Sequence, residues 1–240
     1  MFGLHLAASA SVLTLVLGTL YLGWYHWPGW YLSVVGPVVG IAALVDVVLG
    51  PTLTLVIANP AKPRQELARD VAVIAFLQLL ALGYGSAQLW NGRPLYYVFS
   101  GGFLQMVQAY DLDPEDAARA RAAGAALAPH WYSLPRWVYA PEPAGAPAPA
   151  PGAIKPDYSV LPTRYQPFEA GHAELRAKLQ PVAAQGFFIF NERDLLQARM
   201  KAAGLATDQA NSLAMSGRGR PVLVVFDTRT LRVVAILKGT

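Results

Sequence analysis

The chain has 240 residues, of which 54% are hydrophobic and only 14% charged, a balance that argues against an ordinary soluble protein. The formal charge of +4 at pH 7 lies wholly in residues 93–240, since Lys62, Arg64 and Arg69 cancel Asp46, Glu66 and Asp70 before them, and so weak a surplus does not support nucleic-acid binding. With no cysteine, disulfides, thiol catalysis, iron–sulfur clusters and cysteine zinc sites are excluded.

Three apolar stretches, Leu4–Tyr25, Trp30–Ala58 and Val71–Trp90, reach the length of about 20 residues that a bilayer-crossing helix needs. The first has no Lys or Arg before its apolar run and bulky Gly23-Trp24-Tyr25-His26 after it, so it reads as an uncleaved span rather than a signal peptide. As one straight helix, residues 30–58 would extend about 43 Å against a hydrocarbon core of about 30 Å, so this span must tilt, protrude or bend. Gly50-Pro51 offers the bend, because proline lacks an amide proton and clashes with the carbonyl of Val47. In the same span Gly36 and Gly40 form a small-xxx-small pair that lets another helix approach.

The loop Asn59–Asp70 carries Lys62, Arg64 and Arg69, whereas Gly23–Trp30 carries no Lys or Arg. Basic loops stay on the cytoplasmic side, so the N-terminus is expected inside and everything after Trp90 outside, in a bacterial periplasm across the inner membrane. Trp24, Trp27, Trp30 and Trp90 would then share the outer aromatic belt.

Residues 1–90 thus read as a three-helix transmembrane domain, followed by a membrane-proximal segment over 91–140, a Pro/Ala spacer over 141–152 and an α+β domain over 153–240. Leu95–Phe99 and Phe103–Gln108 read as strands around the turn Ser100-Gly101-Gly102. Asp113 suits the N-cap of a helix running to about Ala128, with Pro114 at its first position. Trp131–Tyr139, aromatic and interrupted by Pro135, is expected to lie against the domain or the bilayer surface. Beyond the spacer, Glu169–Gln180 reads as helix with Glu174 and Lys178 at i, i+4, and Phe187–Phe190 as a buried strand. Asn191 can cap a helix that Gly204 ends, and Pro221–Phe226 with Leu231–Leu237 make a closing hairpin around Asp227-Thr228-Arg229-Thr230. The fold class expected is a membrane protein with three transmembrane α-helices and a small α+β periplasmic domain ending in a β-hairpin.

The chain has no Gly-x-Ser-x-Gly elbow, His-Glu-x-x-His helix, Ser-x-x-Lys pair or Walker loop. Gly217-Arg218-Gly219-Arg220 lacks the Lys-Ser/Thr that would hold phosphate and reads as a flexible basic loop. His5, His26, His130 and His172 show no metal-ligand spacing and read as scattered surface histidines, so no catalytic residue, cofactor or metal is assigned. The exception is Asp46, which costs roughly 2.5–3.5 kcal/mol at a helix centre and therefore needs protein or water beside it. Gln78, midway along the third span, is the partner within the chain. Three roles stay open: fastening the bundle through Gln78 or a carbonyl freed by Pro51, docking a partner's transmembrane helix, or moving protons or ions. The candidate partner-binding set is Asp46, Gly50, Pro51, Gln78, Gly36 and Gly40.

The ordered run Val45-Asp46-Val47-Val48-Leu49-Gly50-Pro51-Thr52-Leu53-Thr54-Leu55, Asn59-Pro60, Leu67-Ala68-Arg69-Asp70-Val71-Ala72-Val73-Ile74, Leu77-Gln78-Leu79-Leu80-Ala81-Leu82-Gly83-Tyr84-Gly85, Arg93-Pro94 and Val98-Phe99 resembles the TfpX/TfpZ family of type IV pilin accessory proteins. The resemblance covers about residues 40–110. It implies an inner-membrane protein that assists production or assembly of a type IV pilin, with no enzymatic activity. The spans would hold or shield the pilin's hydrophobic helix and the tail would contact its globular head. Self-association or contact with the assembly machinery is open, and a membrane-anchored periplasmic enzyme acting on the pilin or a glycan is the rival class.

Overall fold

The computed structural model describes residues 2–57, 63–143, 156–184, 192–206 and 209–238. Asn59, Pro60 and Lys62, most of the Pro/Ala spacer, Phe187–Phe190 and Asn191 lie outside the described residues. The chain divides into a helical unit, Met1–His26 with Val34–Arg93, and a sheet unit, Trp27–Ser33 with Pro94–Thr240.

Three helices of the first unit are long and apolar enough to cross a membrane: Gly3–Tyr25, Gly36–Ile57 and Gln65–Asn91. Helix α1 (Phe2–Leu20) continues into a π-helical turn, Tyr21–Tyr25. The second span is shorter than expected, starting at Gly36 rather than Trp30. Val34 adopts φ 53°, a left-handed conformation that no right-handed helix can pass through, and Pro37 then suits the first turn of a new helix. The 22 residues of Gly36–Ile57 span about 33 Å, close to the hydrocarbon thickness, so the excess length disappears. The third span is the later part of a longer helix, Arg64–Asn91, whose polar first turns precede the apolar run. At one end of the unit Leu20, Tyr25, Val35 and Leu89 are buried together, the Tyr25 hydroxyl donates to the Leu89 carbonyl at 2.7 Å, and Trp24 meets Trp90 edge-on at 5.0 Å.

In the sheet unit, helix α2 (Gly29–Ser33) comes first in the chain. Eight strands follow among the described residues: β1 Pro94–Ser100, β2 Phe103–Gln108, β3 Arg136–Tyr139, β4 Gln166–Pro167, β5 Gln180–Pro181, β6 Ala210–Ser216, β7 Val222–Asp227 and β8 Val233–Lys238. Their order is β4-β3-β1-β2-β6-β7-β8, with β5 against β6. Strands from before and after the spacer therefore share one sheet, joined where β2 runs parallel to β6, instead of forming two separate parts. The β1–β2 hairpin closes through Gly101 (φ 57°) and Gly102 (φ 84°), the left-handed pair that a tight twisted hairpin demands. The closing hairpin pairs β7 with β8 as expected.

Asp113 caps the helix Pro114–Ala122 by accepting from the Asp116 amide at 2.7 Å. The helix stops short of Ala128, because Gly124 turns left-handed (φ 64°) and the Ala125 amide closes back onto the Ala120 carbonyl at 3.0 Å. The aromatic stretch expected to lie against the domain or the bilayer surface supplies the short strand β3, parallel to β1. Glu174 accepts the Tyr139 hydroxyl at 2.7 Å, and the α-helix around it is limited to His172–Lys178. Gly204 (φ 66°) terminates the helix Arg193–Ala202.

Leu32, which hydropathy assigns to the second span, is fully buried in the sheet unit's core with Phe99, Met106, Met215 and Phe226. Its carbonyl accepts the Gly219 amide at 2.8 Å, and the Trp27 indole donates to the Ile236 carbonyl at 3.2 Å. A Cβ on Gly217 would fall 2.8 Å from the Leu32 carbonyl oxygen, so this approach requires glycine. Arg218 pairs with Asp111 at 2.8 Å. The segment read as a flexible basic loop is thus fitted against Leu32 through its glycines, with Arg218 exposed.

Candidate functional site

Inside the helical unit the backbone itself prepares a site. Residues Leu44–Leu49 form a π-helical turn in which the Gly50 amide bonds the Val45 carbonyl, five residues back. In that register the next donor would be residue 51 and its acceptor the Asp46 carbonyl, but residue 51 is proline and has no N–H. Gln78, from the third span, fills the gap: its Nε2 donates to the Asp46 carbonyl at 3.0 Å. Gly50 is the residue that permits this, since a Cβ there would overlap the Gln78 amide.

One contact fixes the next. The amide nitrogen of Gln78 faces the Asp46 carbonyl and, at 3.4 Å, the Ser9 hydroxyl, so its Oε1 faces His5 Nε2 at 2.8 Å and accepts a hydrogen bond from it. His5 Nδ1 lies 2.6 Å from the Thr54 hydroxyl, which also donates to the Gly50 carbonyl at 3.0 Å. All three spans thus contribute to a single polar knot: His5 and Ser9 from the first, Asp46 and Thr54 from the second, Gln78 from the third. Asp46 is 3% exposed, and its Oδ2 has no hydrogen-bond partner among the described residues. Beside the knot is a cavity of about 190 Å³ lined by His5, Ser9, Asp46 and Gln78, and otherwise by alanine, valine and leucine side chains of the first and third spans.

The structure brings together four of the six residues singled out from sequence, Asp46, Gly50, Pro51 and Gln78. Gly36 and Gly40 are apart from them, exposed, with open space where a Cβ would be. The Asp46–Gln78 contact runs through the Asp46 backbone and not its carboxyl. His5 was misread as a surface histidine; the signal available was its place two residues into an apolar span, where an imidazole needs partners as an aspartate does. Ser9 and Thr54 gave no separate signal.

In the sheet unit the shifted groups hold the fold. Burial works against a charged Asp116, but the Thr163 amide (2.8 Å), Arg119 (2.9 Å) and the Thr163 hydroxyl (2.8 Å) outweigh it and keep the carboxyl below its ordinary range. Burial, then the bond to Glu174, pushes Tyr139 up to about 12. Among the described residues no three His, Asp or Glu gather as metal ligands would.

The chain is 30% identical over 112 residues to "Fimbrial assembly protein, serogroups C1 and C2" of Dichelobacter nodosus, a match covering 46% of this chain and 84% of that protein. The serogroup I and serogroup E1 fimbrial assembly proteins of the same organism match at 30% over 112 residues, but this covers only 43% of their length. No family model matches the chain. No solved structure matches it either.

Proposed function

Because this chain belongs to the family of fimbrial assembly proteins, we propose that it is an inner-membrane accessory protein of the TfpX/TfpZ type, which assists a type IV pilin by binding it before assembly. The spans hold the pilin's hydrophobic helix and the sheet unit contacts its globular head. The relatives are named for assembly and not for a catalysed reaction, which favours this binding role over a periplasmic enzyme.

The observation that carries the intramembrane half of the proposal is the division of labour at the knot. Gln78, His5 and Thr54 bond one another and the Asp46 backbone, which is a fastening role, while Asp46 Oδ2 has no donor among the described residues. A carboxyl oxygen buried among apolar helices without a donor is costly, and a polar group on a docking helix would relieve it. The placement of the sheet unit in the periplasm draws support from two sources. The basic loop residues Lys62, Arg64 and Arg69 favour the cytoplasmic side for the second loop, and the grouping of Trp27–Ser33 with the strands after Pro94 supports one common side for the first loop and the tail.

The test is Asp46→Leu in the native host. The variant should accumulate normally, lower pilus display and lose photocrosslinks between the second span and pilin. Undiminished crosslinking at normal abundance would remove Asp46 from the site. A reporter active only outside the cytoplasm, fused after Thr240, should be active, and one fused at Arg64 silent.

A further inference from the structure

Strand register defines two ends of the sheet. Pro94 begins β1 just after the third span ends at Asn91, so the Pro94 end is where the chain passes into the apolar helix. Gln108 pairs with Pro94, and Arg136, at the start of the parallel β3, lies opposite Tyr96. Because β6 runs parallel to β2, Arg218 follows Ser216 toward this same end. Ser100 and Phe103 mark the other end.

A turn built to display aromatic rings sits at the Pro94 end, immediately before β3. The Ser133 amide donates to the His130 carbonyl at 3.1 Å and the His130 amide donates to the Ser133 hydroxyl at 2.9 Å, so the turn is stapled in both directions. Ser133 is 4% exposed, which holds the turn fixed. Central turn positions ordinarily take Gly, Asn, Asp or Ser. Here they are Trp131 and Tyr132, 72% and 59% exposed, followed by Leu134 at 56%. The rings make one block: Tyr132 stacks on His130 at 5.3 Å and meets Trp131 edge-on at 5.6 Å.

Cations surround this end. Arg121 donates to the Pro129 carbonyl at 3.4 Å, just before the turn, and Arg136 to the Ser133 hydroxyl at 3.1 Å, which puts a guanidinium on each side of it. Arg218, paired with Asp111, lies over the Tyr110 ring at 4.5 Å. Exposed tryptophan and tyrosine flanked by arginine match the chemistry of the headgroup layer, where amphipathic rings sit at the hydrocarbon boundary and cations meet phosphate.

We propose that the His130–Ser133 turn is a bilayer-docking element, with Trp131 and Tyr132 seated in the phospholipid headgroup layer of the leaflet from which the third span emerges. This rests on the reading of the apolar helices as spans and is independent of any pilin. Docking would fix the sheet end that bears the turn against the lipid surface and leave the β1–β2 turn in water.

The absence of cysteine makes the test direct. Single-cysteine variants of the full chain, Tyr132→Cys, Phe103→Cys and Leu77→Cys, are labelled with an environment-sensitive fluorophore in vesicles of phosphatidylcholine and phosphatidylglycerol. Phe103, 73% exposed, is about 20 Å up the sheet from the turn, and Leu77, 58% exposed, lies within the third span. Acyl-chain nitroxides should quench the label at 77 and at 132 several-fold more than at 103, and aqueous iodide should give the reverse order. Quenching by nitroxide at 77 with equal behaviour at 132 and 103 overturns docking alone, whereas no quenching at 77 overturns the spanning reading and docking with it. Protection of 132 from iodide that grows with protein-to-lipid ratio, without nitroxide quenching, would assign the turn to a second copy of the chain and also overturn the proposal.

Discussion

If Gln78 replaces the amide that Pro51 lacks, the two positions must be energetically coupled. Gln78→Leu removes the donor to the Asp46 carbonyl (3.0 Å) and the bonds to His5 (2.8 Å) and Ser9 (3.4 Å). Interhelical bonds of the latter kind are worth about 0.6 kcal/mol each in lipid, and a buried carbonyl left without a donor costs about 1–2 kcal/mol more, so the total is about 2–3 kcal/mol. In a Pro51→Ala background residue 51 regains its N–H, the Asp46 carbonyl finds a backbone donor, and Gln78→Leu should cost only about 1 kcal/mol. The double-mutant coupling is therefore about 1–2 kcal/mol, read from equilibrium unfolding in mixed micelles by far-UV circular dichroism. Additivity within about 0.5 kcal/mol would refute the substitution of a side-chain amide for a backbone one.

Three further outcomes follow from other contacts. Gly50→Ala drives a Cβ into the Gln78 amide and should lower stability by about 1–3 kcal/mol in the same assay, with Gln78→Ala in the double variant restoring part of the loss. Leu32→Ala empties a fully buried position and should cost about 2–5 kcal/mol in the sheet unit, seen as a lowered denaturant midpoint in the fluorescence of Trp137. Asp116 has a depressed folded-state pKa, so its contribution is complete above the ordinary carboxylate value near 4 and is lost as pH falls through the lower folded value; Asp116→Asn should flatten the acid limb of stability against pH and reduce stability at neutral pH.

Local rules account for the parts of the fold that were readable in advance. Run length located the apolar helices, paired glycines announced the β1–β2 turn, and the Asp113-Pro114 cap placed a helix start, each decided by residues within a few positions of one another. Strand β6, Ala-Asn-Ser-Leu-Ala-Met-Ser, carries no strong strand pattern of its own. It is a strand because β2 and β7 bond it from both sides, and those partners are distant in sequence or come after it. Leu32 was missed for the same reason. Its hydrophobicity is indistinguishable from that of the span it precedes, and only the glycines of 217–219 reveal where it goes. At the site, Asp46 and Gln78 stood out as polar residues in apolar runs, whereas the exchange of one amide for another depended on a π-helical register that composition does not disclose.

The burial of Leu32 among strands that end at residue 238 bears on when the protein can fold. Residues 27–33 leave the ribosome early, yet the bond from Trp27 closes onto Ile236, 209 positions later. The sheet unit therefore cannot complete its core while the spans are being made, and membrane insertion must come first, leaving Leu32 without its final neighbours until β8 has been made. A sheet unit produced without residues 27–33 would lack a piece of its own interior. Supplied separately, those residues would have to bind as a ligand, at a concentration cost that the continuous chain avoids.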